Sequence, residues 1–358
     1  MTSRERIIAA FSHREPDRTP VFEYVLLSPV ADTVLGRRYE DFGGDIDAWF
    51  SYAEEIGGYE KAVRQYAIDR VEIAQKLEHD LVYCVPNPLD TALRKEAVTN
   101  QPSPVDPVAK IKWNNNRSRE LLDQSLHELI VYQFLREEMA KRGMDLPIYA
   151  PAFNHGIWTN TDLMETMLLD PETAHEHFSL CTEFAMRLID IYTRLGIEII
   201  GVGGDFAGNE PLISPEMYRD FIMPEIKKLT DVIRLRGIFS VNASDGKLWN
   251  VADYFLTGSG VDGYGEIDAG AGMDMGKLKK RYGNTITLLG NIDCGRLLSF
   301  GTEDEIKAAV RQCLESGMGN GGHIFTASNA IAGSVGIKNY MCMVNEYRYF
   351  FGLSEIKL

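Results

Sequence analysis

Carboxylate side chains follow several apolar segments of this chain, at the points where strands would end. Asp205, Asp245 and Glu266 come after three successive segments of this kind. Carboxylates that meet in one partly enclosed space repel each other, which raises the pKa of some of them or attracts a cation. A protonated carboxyl group can serve as a general acid, and a bound cation can serve as a Lewis acid. These residues are therefore the main candidates for catalysis and for metal binding.

Two further polar residues at strand ends each allow two interpretations. His155 lies in FNHGIW, directly after an apolar segment, and is a further catalytic candidate. A single histidine is more often a structural hydrogen-bonding group than a ligand, and both roles stay open for His155. Asp293, in GNIDCGRL, fits the capping of the next helix as well as a site role. Asp205, Asp245 and Glu266 have no evident capping task, which favours a site role for them.

A wider set of residues near strand ends could line a substrate pocket. Asp268 and Ser244 also follow strands, without a feature that selects them from the other polar residues. The aromatic members could enclose a substrate ring, although aromatic side chains are more often part of the core. The predicted substrate-binding residues are Glu23, Tyr24, Asn87, Trp158, Phe206, Glu210, Asn242, Tyr264 and Asn329.

The elements that must position these residues alternate between strands and helices to the end of the chain. The first is a helix with a capping box of Thr2 and Glu5, followed by a short strand over residues 19–25. Helical patterns cover residues 36–78 and 117–142, and another lies near residues 249–255. The later strand segments are HDLVYCVPNP, LPIYAPAFN, IEIIGVGG, GIFSVNAS, VDGYGE, ITLLGN and HIFTAS.

Strands that alternate with helices of this length predict a parallel sheet. About eight such units fit a (β/α)₈ TIM barrel. We therefore predict an α/β barrel with an N-terminal helical extension, as a single domain over residues 1–358. An open, doubly wound sheet is the alternative, but the first strand lacks the Gly-x-Gly-x-x-Gly of its dinucleotide-binding form. In a barrel the strand ends face one mouth, so the candidate residues would converge there.

Composition narrows the range of partners. The formal net charge of −15 argues against nucleic acid, because an acidic chain repels a phosphate backbone. No apolar run reaches the roughly 18 residues that a membrane span needs. The first residues carry charges throughout, unlike a signal peptide. The five cysteines are scattered and never spaced as Cys-x-x-Cys, so we expect a reduced, cytoplasmic protein without membrane partners.

Four blocks of the sequence resemble those of the uroporphyrinogen decarboxylase superfamily, which includes corrinoid-linked methyltransferases. The resemblance runs nearly end to end, with the blocks in the usual order. It implies a (β/α)₈ barrel whose site lies in the mouth. The blocks are SRERIIAAFSHREPDRTPV, GGDFAGNEPLISPEMYRDFIMPEIKKL, ITLLGNIDCGRLLSFGTEDEI and GGHIFTASNAI.

The sequence departs from the decarboxylase pattern in ways that argue against tetrapyrrole decarboxylation. The decarboxylases carry an arginine-rich segment after the first strand, whereas this chain has EYVLLSPVAD. Their aspartate after the second strand falls at or near Asn87, and the histidine of their last strand motif falls at or near Asn329. A mouth rich in carboxylates would also repel an acidic tetrapyrrole.

The thiol-methylating members bind zinc through a His-x-Cys pair and a later cysteine. The matching stretch here is VNASDG, with Asp245 at or near the first cysteine position, and the later cysteine corresponds to Ser328 or Asn329. The resemblance thus leaves a site of Asp205, Asp245 and Glu266, with His155, that would hold Zn²⁺ through oxygen ligands. Proton donation by the carboxyl groups without a metal is equally open.

Three functions follow from this resemblance and the candidate residues. The first is transfer of a methyl group from a small methylated substrate, such as an aromatic methyl ether, to the cobalt of a corrinoid carried by a partner protein. The second is a decarboxylase-like lyase that acts on a small carboxylic acid. The third is a binding protein that kept the fold and lost the chemistry, and a homodimer is one possible assembly.

Overall fold

Seven parallel strands form one sheet in which each strand pairs with its neighbour in sequence. The computed structural model describes residues 1–42, 45–89, 103–122 and 129–358. Because every connection leads to the adjacent strand, the sheet curls in a single direction, as in a barrel. The strands are β1 (Val82–Tyr83), β2 (Ile148–Asn154), β3 (Ile199–Gly203), β4 (Phe239–Ala243), β5 (Gly263–Gly265), β6 (Thr287–Leu289) and β7 (His323–Ile324).

The segment that precedes β1 joins the two edges of this sheet. Val21 forms a parallel bridge with Phe325 after β7, and Leu26 forms one with Ile331. On the other edge, the carbonyl of Val21 accepts the backbone N–H of Asp80 at 2.7 Å. The strand predicted over residues 19–25 is therefore present only as isolated bridges. This segment nevertheless occupies the position of the eighth strand of the barrel, between β7 and β1. The prediction of an α/β barrel is confirmed, whereas the single-domain prediction stays a prediction.

Helices connect the strands and surround the sheet. They are α1 (Ser3–Phe11), α2 (Val30–Leu35), α3 (Ile46–Glu55), α4 (Tyr59–Lys76), α5 (Pro107–Leu122), α6 (Ile130–Lys141), α7 (Thr161–Leu169), α8 (Pro171–Arg194), α9 (Pro215–Met217), α10 (Met223–Leu235), α11 (Met275–Tyr282), α12 (Leu297–Phe300), α13 (Glu303–Gly317) and α14 (Ile337–Phe350). Single π-helical turns cover Tyr218–Ile222 and Tyr254–Gly258. None of the described helices is long and apolar enough to cross a membrane.

The helix boundaries follow from local capping more than from the apolar pattern. Thr2 and Glu5 form the predicted capping box at the start of α1, which is confirmed. The helical pattern over residues 36–78 was too broad, because Gly36 ends α2 in the left-handed region and α3 begins only after Asp45 caps it. The pattern predicted over 117–142 divides into α5 and α6, with residues 123–128 outside the described part of the chain. The pattern near residues 249–255 forms turns followed by a π-helical turn.

Two apolar cores lie on opposite sides of the sheet. The inner core includes Phe22, Tyr24, Tyr149 and Val241, which point into the barrel. The N-terminal extension closes its lower end, because Phe11 of α1 stacks on Phe239 with ring centroids 4.5 Å apart. The larger, outer core lies between the strands and the helices. Side chains alternate between these two cores along each strand, so neighbours in sequence have different surroundings.

Candidate active site at the barrel mouth

Carboxyl groups from three successive strands meet around the loop that follows β4. The backbone N–H of Asp245 donates to Oδ1 of Asp205, after β3, at 3.4 Å. The next N–H, that of Gly246, donates to Oδ2 of Asp268, after β5, at 3.3 Å. The β4 loop is therefore held on both sides by carboxylates of the neighbouring strands. This arrangement brings Asp205 and Asp245 together as the sequence predicted.

The side chain of Asp245 extends towards the end of β7. Its Oδ2 accepts a hydrogen bond from Nδ2 of Asn329 at 3.1 Å. The other amide atom of Asn329 is held in turn, because its Oδ1 accepts the N–H of Ala330 at 2.6 Å. The predicted substrate-binding residue Asn329 thus lies in the carboxylate cluster, where its amide position is fixed.

Burial and mutual repulsion favour the protonated form of these acids. Burial raises the pKa of Asp245 to about 6, with the charges of Asp205 and Asp268 adding to the effect. Burial also raises the pKa of Asp205. The pKa of Glu266 lies well above its ordinary value, first because of burial and then because of the charges of Asp205 and Asp245. Glu266 is the group that holds a proton most firmly here.

Glu266 stands at the end of β5 in an unusual backbone conformation. Its φ is +62°, in the left-handed region that side chains other than glycine rarely adopt. Across the described parts of the chain, we find no side chain or backbone N–H that donates a hydrogen bond to its carboxyl group. Within the described residues, the carboxyl group is thus free of the hydrogen bonds that would engage its proton.

Three tyrosines lie beneath Glu266 at the top of the inner core. The ring centroid of Tyr24 is 5.1 Å from that of Tyr83 and 5.8 Å from that of Tyr149, both in edge-to-face contact. Burial raises the pKa of all three hydroxyls, and the charge of Glu266 adds to this effect. All three hydroxyls therefore keep their protons at neutral pH.

The Tyr24 hydroxyl reaches its position only because residue 265 is a glycine. A Cβ atom added to Gly265 would stand 2.1 Å from the Tyr24 Oη, far inside contact distance. This hydroxyl is buried and makes no well-aligned hydrogen bond in the described residues, although the Tyr149 hydroxyl lies close enough to affect its pKa. The predicted substrate-binding residue Tyr24 thus places a buried hydroxyl next to the strand end that carries Glu266.

We expect Gly265→Ala to destabilise the protein by about 1–3 kcal/mol, because the packed rings around Tyr24 prevent it from moving aside. The substitution should cost clearly less in a Tyr24→Phe background, in which the clashing oxygen is absent. Urea unfolding of both single variants and of the double variant gives the coupling energy. Equal costs in the two backgrounds would show that Tyr24 does not stand against Gly265.

Four of the predicted substrate-binding residues lie on the outer side of the sheet and not in the mouth. Glu23 stands between the inward-facing Phe22 and Tyr24, so it points towards the helices. Its carboxyl group is buried there and accepts hydrogen bonds from the Thr326 hydroxyl and the Ala327 N–H. The prediction for Glu23 assigned the wrong face, because it placed the residue by its distance from the strand end alone.

Three more predicted substrate-binding residues also face the outer side of the sheet, namely Asn242, Tyr264 and Phe206. Nδ2 of Asn242 donates to the Tyr218 hydroxyl and to the carbonyl of Phe255, both at 3.0 Å. Tyr264 packs edge-to-face on Phe255, and Phe206 packs on Tyr218 at 4.9 Å. All three residues are fully or almost fully buried in the layer between strands and helices, where a ligand in the mouth would not reach their side chains.

The other predicted residues lie around the barrel rather than at the carboxylates. Asn87 is buried and ties its loop to the helices, donating to the Tyr59 hydroxyl and accepting the Val131 N–H. Trp158 is 48% exposed. Glu210 is exposed and pairs with Lys247 at 2.8 Å. A role for these residues in substrate binding stays a prediction.

His155 is a neutral, buried imidazole at the end of β2. Its Nδ1 accepts the N–H of Ile157 at 3.3 Å, which leaves the proton on Nε2. Burial lowers its pKa to about 4, and the only charged group that contributes is His177 rather than any of the acids. Its ring lies against Phe153 and Phe206. A backbone hydrogen bond at Gly204, the residue before Asp205, partly offsets the lowering of the His155 pKa. The catalytic role of His155 stays a prediction.

Asp268, Tyr83 and Tyr149 were not among the predicted site residues. Asp268 follows a strand like many other polar residues, so the sequence offered no reason to select it. The two tyrosines belong to strands and resemble ordinary core residues until their neighbours are known. Asp293, by contrast, has the capping role that was one of its two interpretations. Its carboxylate accepts the N–H groups of Arg296 and Leu297.

The predicted zinc ligands are close in space but do not form a recognisable metal site. In the part of the chain that the structure describes, no group of three or more His, Cys, Asp or Glu residues is arranged to hold a metal ion. The candidates Asp205, Asp245 and Glu266 supply only oxygen donors, whereas structural zinc sites rely on cysteine and histidine. Zinc binding stays a prediction. Proton donation by the same carboxyl groups is the alternative chemistry.

The barrel fold agrees with the comparisons with known proteins. The model of the uroporphyrinogen decarboxylase (URO-D) family matches residues 155–350, which is more than half of the 358 residues. The chain belongs to this family. The matched region includes Asp205, Asp245, Glu266, Asp268 and Asn329, whereas Tyr24 lies outside it.

Individual relatives are distant. The chain is 26% identical over 164 residues to a methylated-thiol–coenzyme M methyltransferase from Methanosarcina mazei, which covers 46% of this chain and 40% of that protein. It is 23% identical over 253 residues to a uroporphyrinogen decarboxylase from Trichodesmium erythraeum, covering 68% of this chain and 64% of that protein. The chain thus spans less than two thirds of the length of these curated relatives.

A solved structure matches almost the whole chain. A methyltransferase from Methanosarcina mazei superimposes with a TM-score of 0.69 and 16% sequence identity, covering 98% of this chain and 99% of that one. This likeness shows that the two proteins have the same fold.

Proposed function

We propose that this protein is a methyltransferase that moves a methyl group from an aromatic methyl ether to the cobalt of a corrinoid carried by a partner protein. Membership of the URO-D family and the similarity to a methylated-thiol–coenzyme M methyltransferase support a methyl-transfer reaction. The observation that carries the proposal is the Glu266 carboxyl group beside Asp205 and Asp245, since burial and the charges of these two residues raise its pKa well above the ordinary value.

Cleavage of a methyl ether needs an acid at the oxygen, because an unprotonated alkoxide or phenoxide is a poor leaving group. In the proposed step the bond between oxygen and the methyl carbon breaks, and a bond between that carbon and reduced cobalt forms. The cobalt supplies the electron pair, and Glu266 gives its proton to the departing oxygen. The products are a free hydroxyl compound, the methylated corrinoid and the Glu266 carboxylate.

The residues around Glu266 keep this proton available and hold the substrate in place. Asp205 and Asp245 oppose ionisation of Glu266 by their charge. The Tyr24 hydroxyl is a second donor that can orient the ether oxygen from below. The lyase alternative lacks such support, because Lys247, the described cation that follows Asp245 in the chain, is exposed and already pairs with Glu210.

The test is methyl transfer from a methoxylated phenol to free cob(I)alamin, followed by the absorption change of cobalamin methylation. We expect transfer that a chelator such as EDTA leaves unchanged, since the proposed acid is Glu266. Loss of transfer on chelation, with zinc found by metal analysis, would instead support a Lewis acid at Asp205, Asp245 and Glu266. Release of carbon dioxide from a small acid without corrinoid would contradict the proposal, as would tight binding without any reaction.

A further inference from the structure

The acidic residues of the mouth have no positively charged partner in the residues that the structure describes. None of the ion pairs of the described chain involves Asp205, Asp245, Glu266 or Asp268. The nearest cation along the chain, Lys247, is exposed and pairs with Glu210. Within the described residues, the mouth therefore presents carboxyl groups that no cation pairs with.

The buried cation below the mouth does not offset this charge, because it is engaged elsewhere. Nη2 of Arg70 donates to the backbone carbonyls of Tyr24 and Tyr83, at 2.7 and 2.5 Å. The guanidinium group thus holds two strand ends from the outer side. A ligand in the mouth would meet carboxyl groups and tyrosine hydroxyls, without a described basic group to receive a carboxylate.

A second observation concerns the Tyr24 hydroxyl beneath the mouth. Tyr24 is 3% exposed, and its hydroxyl makes no well-aligned hydrogen bond in the described chain, although that of Tyr149 is close by; it stands against the strand end that carries Glu266. A buried hydroxyl without a well-aligned partner costs free energy. A ligand oxygen placed between Tyr24 and Glu266 would satisfy this donor.

We propose that the mouth selects its substrate by charge, accepting uncharged or cationic methylated aromatic compounds and rejecting those that carry a carboxylate. This inference rests on the proposed function, in which the mouth is the substrate site. Like charges brought together in a poorly solvated space repel strongly, so an anionic substrate would pay a penalty that the others avoid. The methyl-bearing oxygen would be placed between Glu266 and Tyr24.

The test compares three ligands with the same methoxyphenol ring. They are 2-methoxyphenol, which is neutral, 4-hydroxy-3-methoxybenzylamine, which is a cation, and 4-hydroxy-3-methoxybenzoate, which is an anion. Isothermal titration calorimetry with the full chain at neutral pH, without corrinoid, gives the three dissociation constants. We expect the benzoate to bind at least about 10-fold more weakly than the neutral compound, and the amine to bind at least as well.

A variant of Asp268 tests whether the carboxylates of the mouth cause the weaker binding of the anionic compound. Asp268→Asn removes one charge and keeps one oxygen for the N–H of either Gly246 or Ala271, both of which Asp268 accepts. It should therefore narrow the gap between the affinities for the benzoate and 2-methoxyphenol. Glu315→Gln, on the exposed surface of α13, should leave the gap unchanged. The wild-type comparison remains decisive if the Asp268 variant does not fold.

Binding of the benzoate as tight as that of the neutral compound would overturn the proposal, and so would failure of both the neutral and the cationic compounds to bind. The proposed methyl transfer is tested separately. If the predicted order of binding is found and none of the three compounds gives its methyl group to cob(I)alamin, the charge selection stands and the proposed reaction fails.

Discussion

Replacement of Glu266 by glutamine is expected to lower the rate of methyl transfer by about 10²–10⁴-fold, the usual contribution of a general acid. Glutamine has nearly the same shape but cannot give a proton to the departing oxygen. The measurement is the rate of cob(I)alamin methylation at saturating methoxyphenol. Because the effect arises in the chemical step, kcat should fall much more than the affinity for the substrate.

Two controls separate proton donation from a structural role of Glu266. Glu266→Asp keeps an acid at a slightly different position and should retain part of the rate, whereas Glu315→Gln should retain all of it. The wild-type rate should fall as rising pH removes the Glu266 proton, since the carboxyl group must be protonated to act. Full activity of Glu266→Gln, or a rate that rises in the alkaline range, would exclude Glu266 as the acid.

Glu23→Gln is expected to remove a large pH dependence from the stability of the protein. Burial raises the pKa of Glu23 to about 8, against an ordinary value of 4.5. Between these two values the folded protein retains a proton that the unfolded chain releases, so the free energy of unfolding falls as pH rises. Over pH 4.5 to 7 the wild type should lose about 3 kcal/mol from this group.

The measurement is urea unfolding of wild type and variant at several values of pH. Glutamine keeps an oxygen to accept the bonds of Thr326 and Ala327 but does not ionise, so the two proteins should differ little near pH 4.5. At pH 7 the variant should be the more stable by about 3 kcal/mol. Parallel curves for the two proteins would mean that Glu23 is solvated or paired in a way that the buried position does not suggest.

The alternation of strands and helices and the carboxylates at the strand ends were visible in the sequence for a physical reason. Parallel strands that are covered by helices need apolar runs, and polar residues can follow only where the runs end. Asp205, Asp245, Glu266 and Asn329 were found in this way. Their mutual contacts required no more than that parallel strands share one end of the barrel.

Little in the sequence indicated which side of the sheet each strand residue points to. The strands here are only a few residues long, and both of their sides are buried, so the alternation of polar and apolar residues that would identify the inner side is lost. Glu23 and Tyr24 are neighbours with the same predicted role, yet only Tyr24 points into the barrel. Asn242 and Tyr264 were misplaced for the same reason.

The sequence by itself determined the α/β barrel and the acidic character of its mouth, because both depend on local patterns and on the order of the elements. The tertiary structure decided which acid keeps its proton, because that depends on burial and on the distance between charges from different strands. It also decided that Gly265 leaves room for the Tyr24 hydroxyl beneath Glu266, since these residues lie far apart in the chain and meet only when the barrel closes.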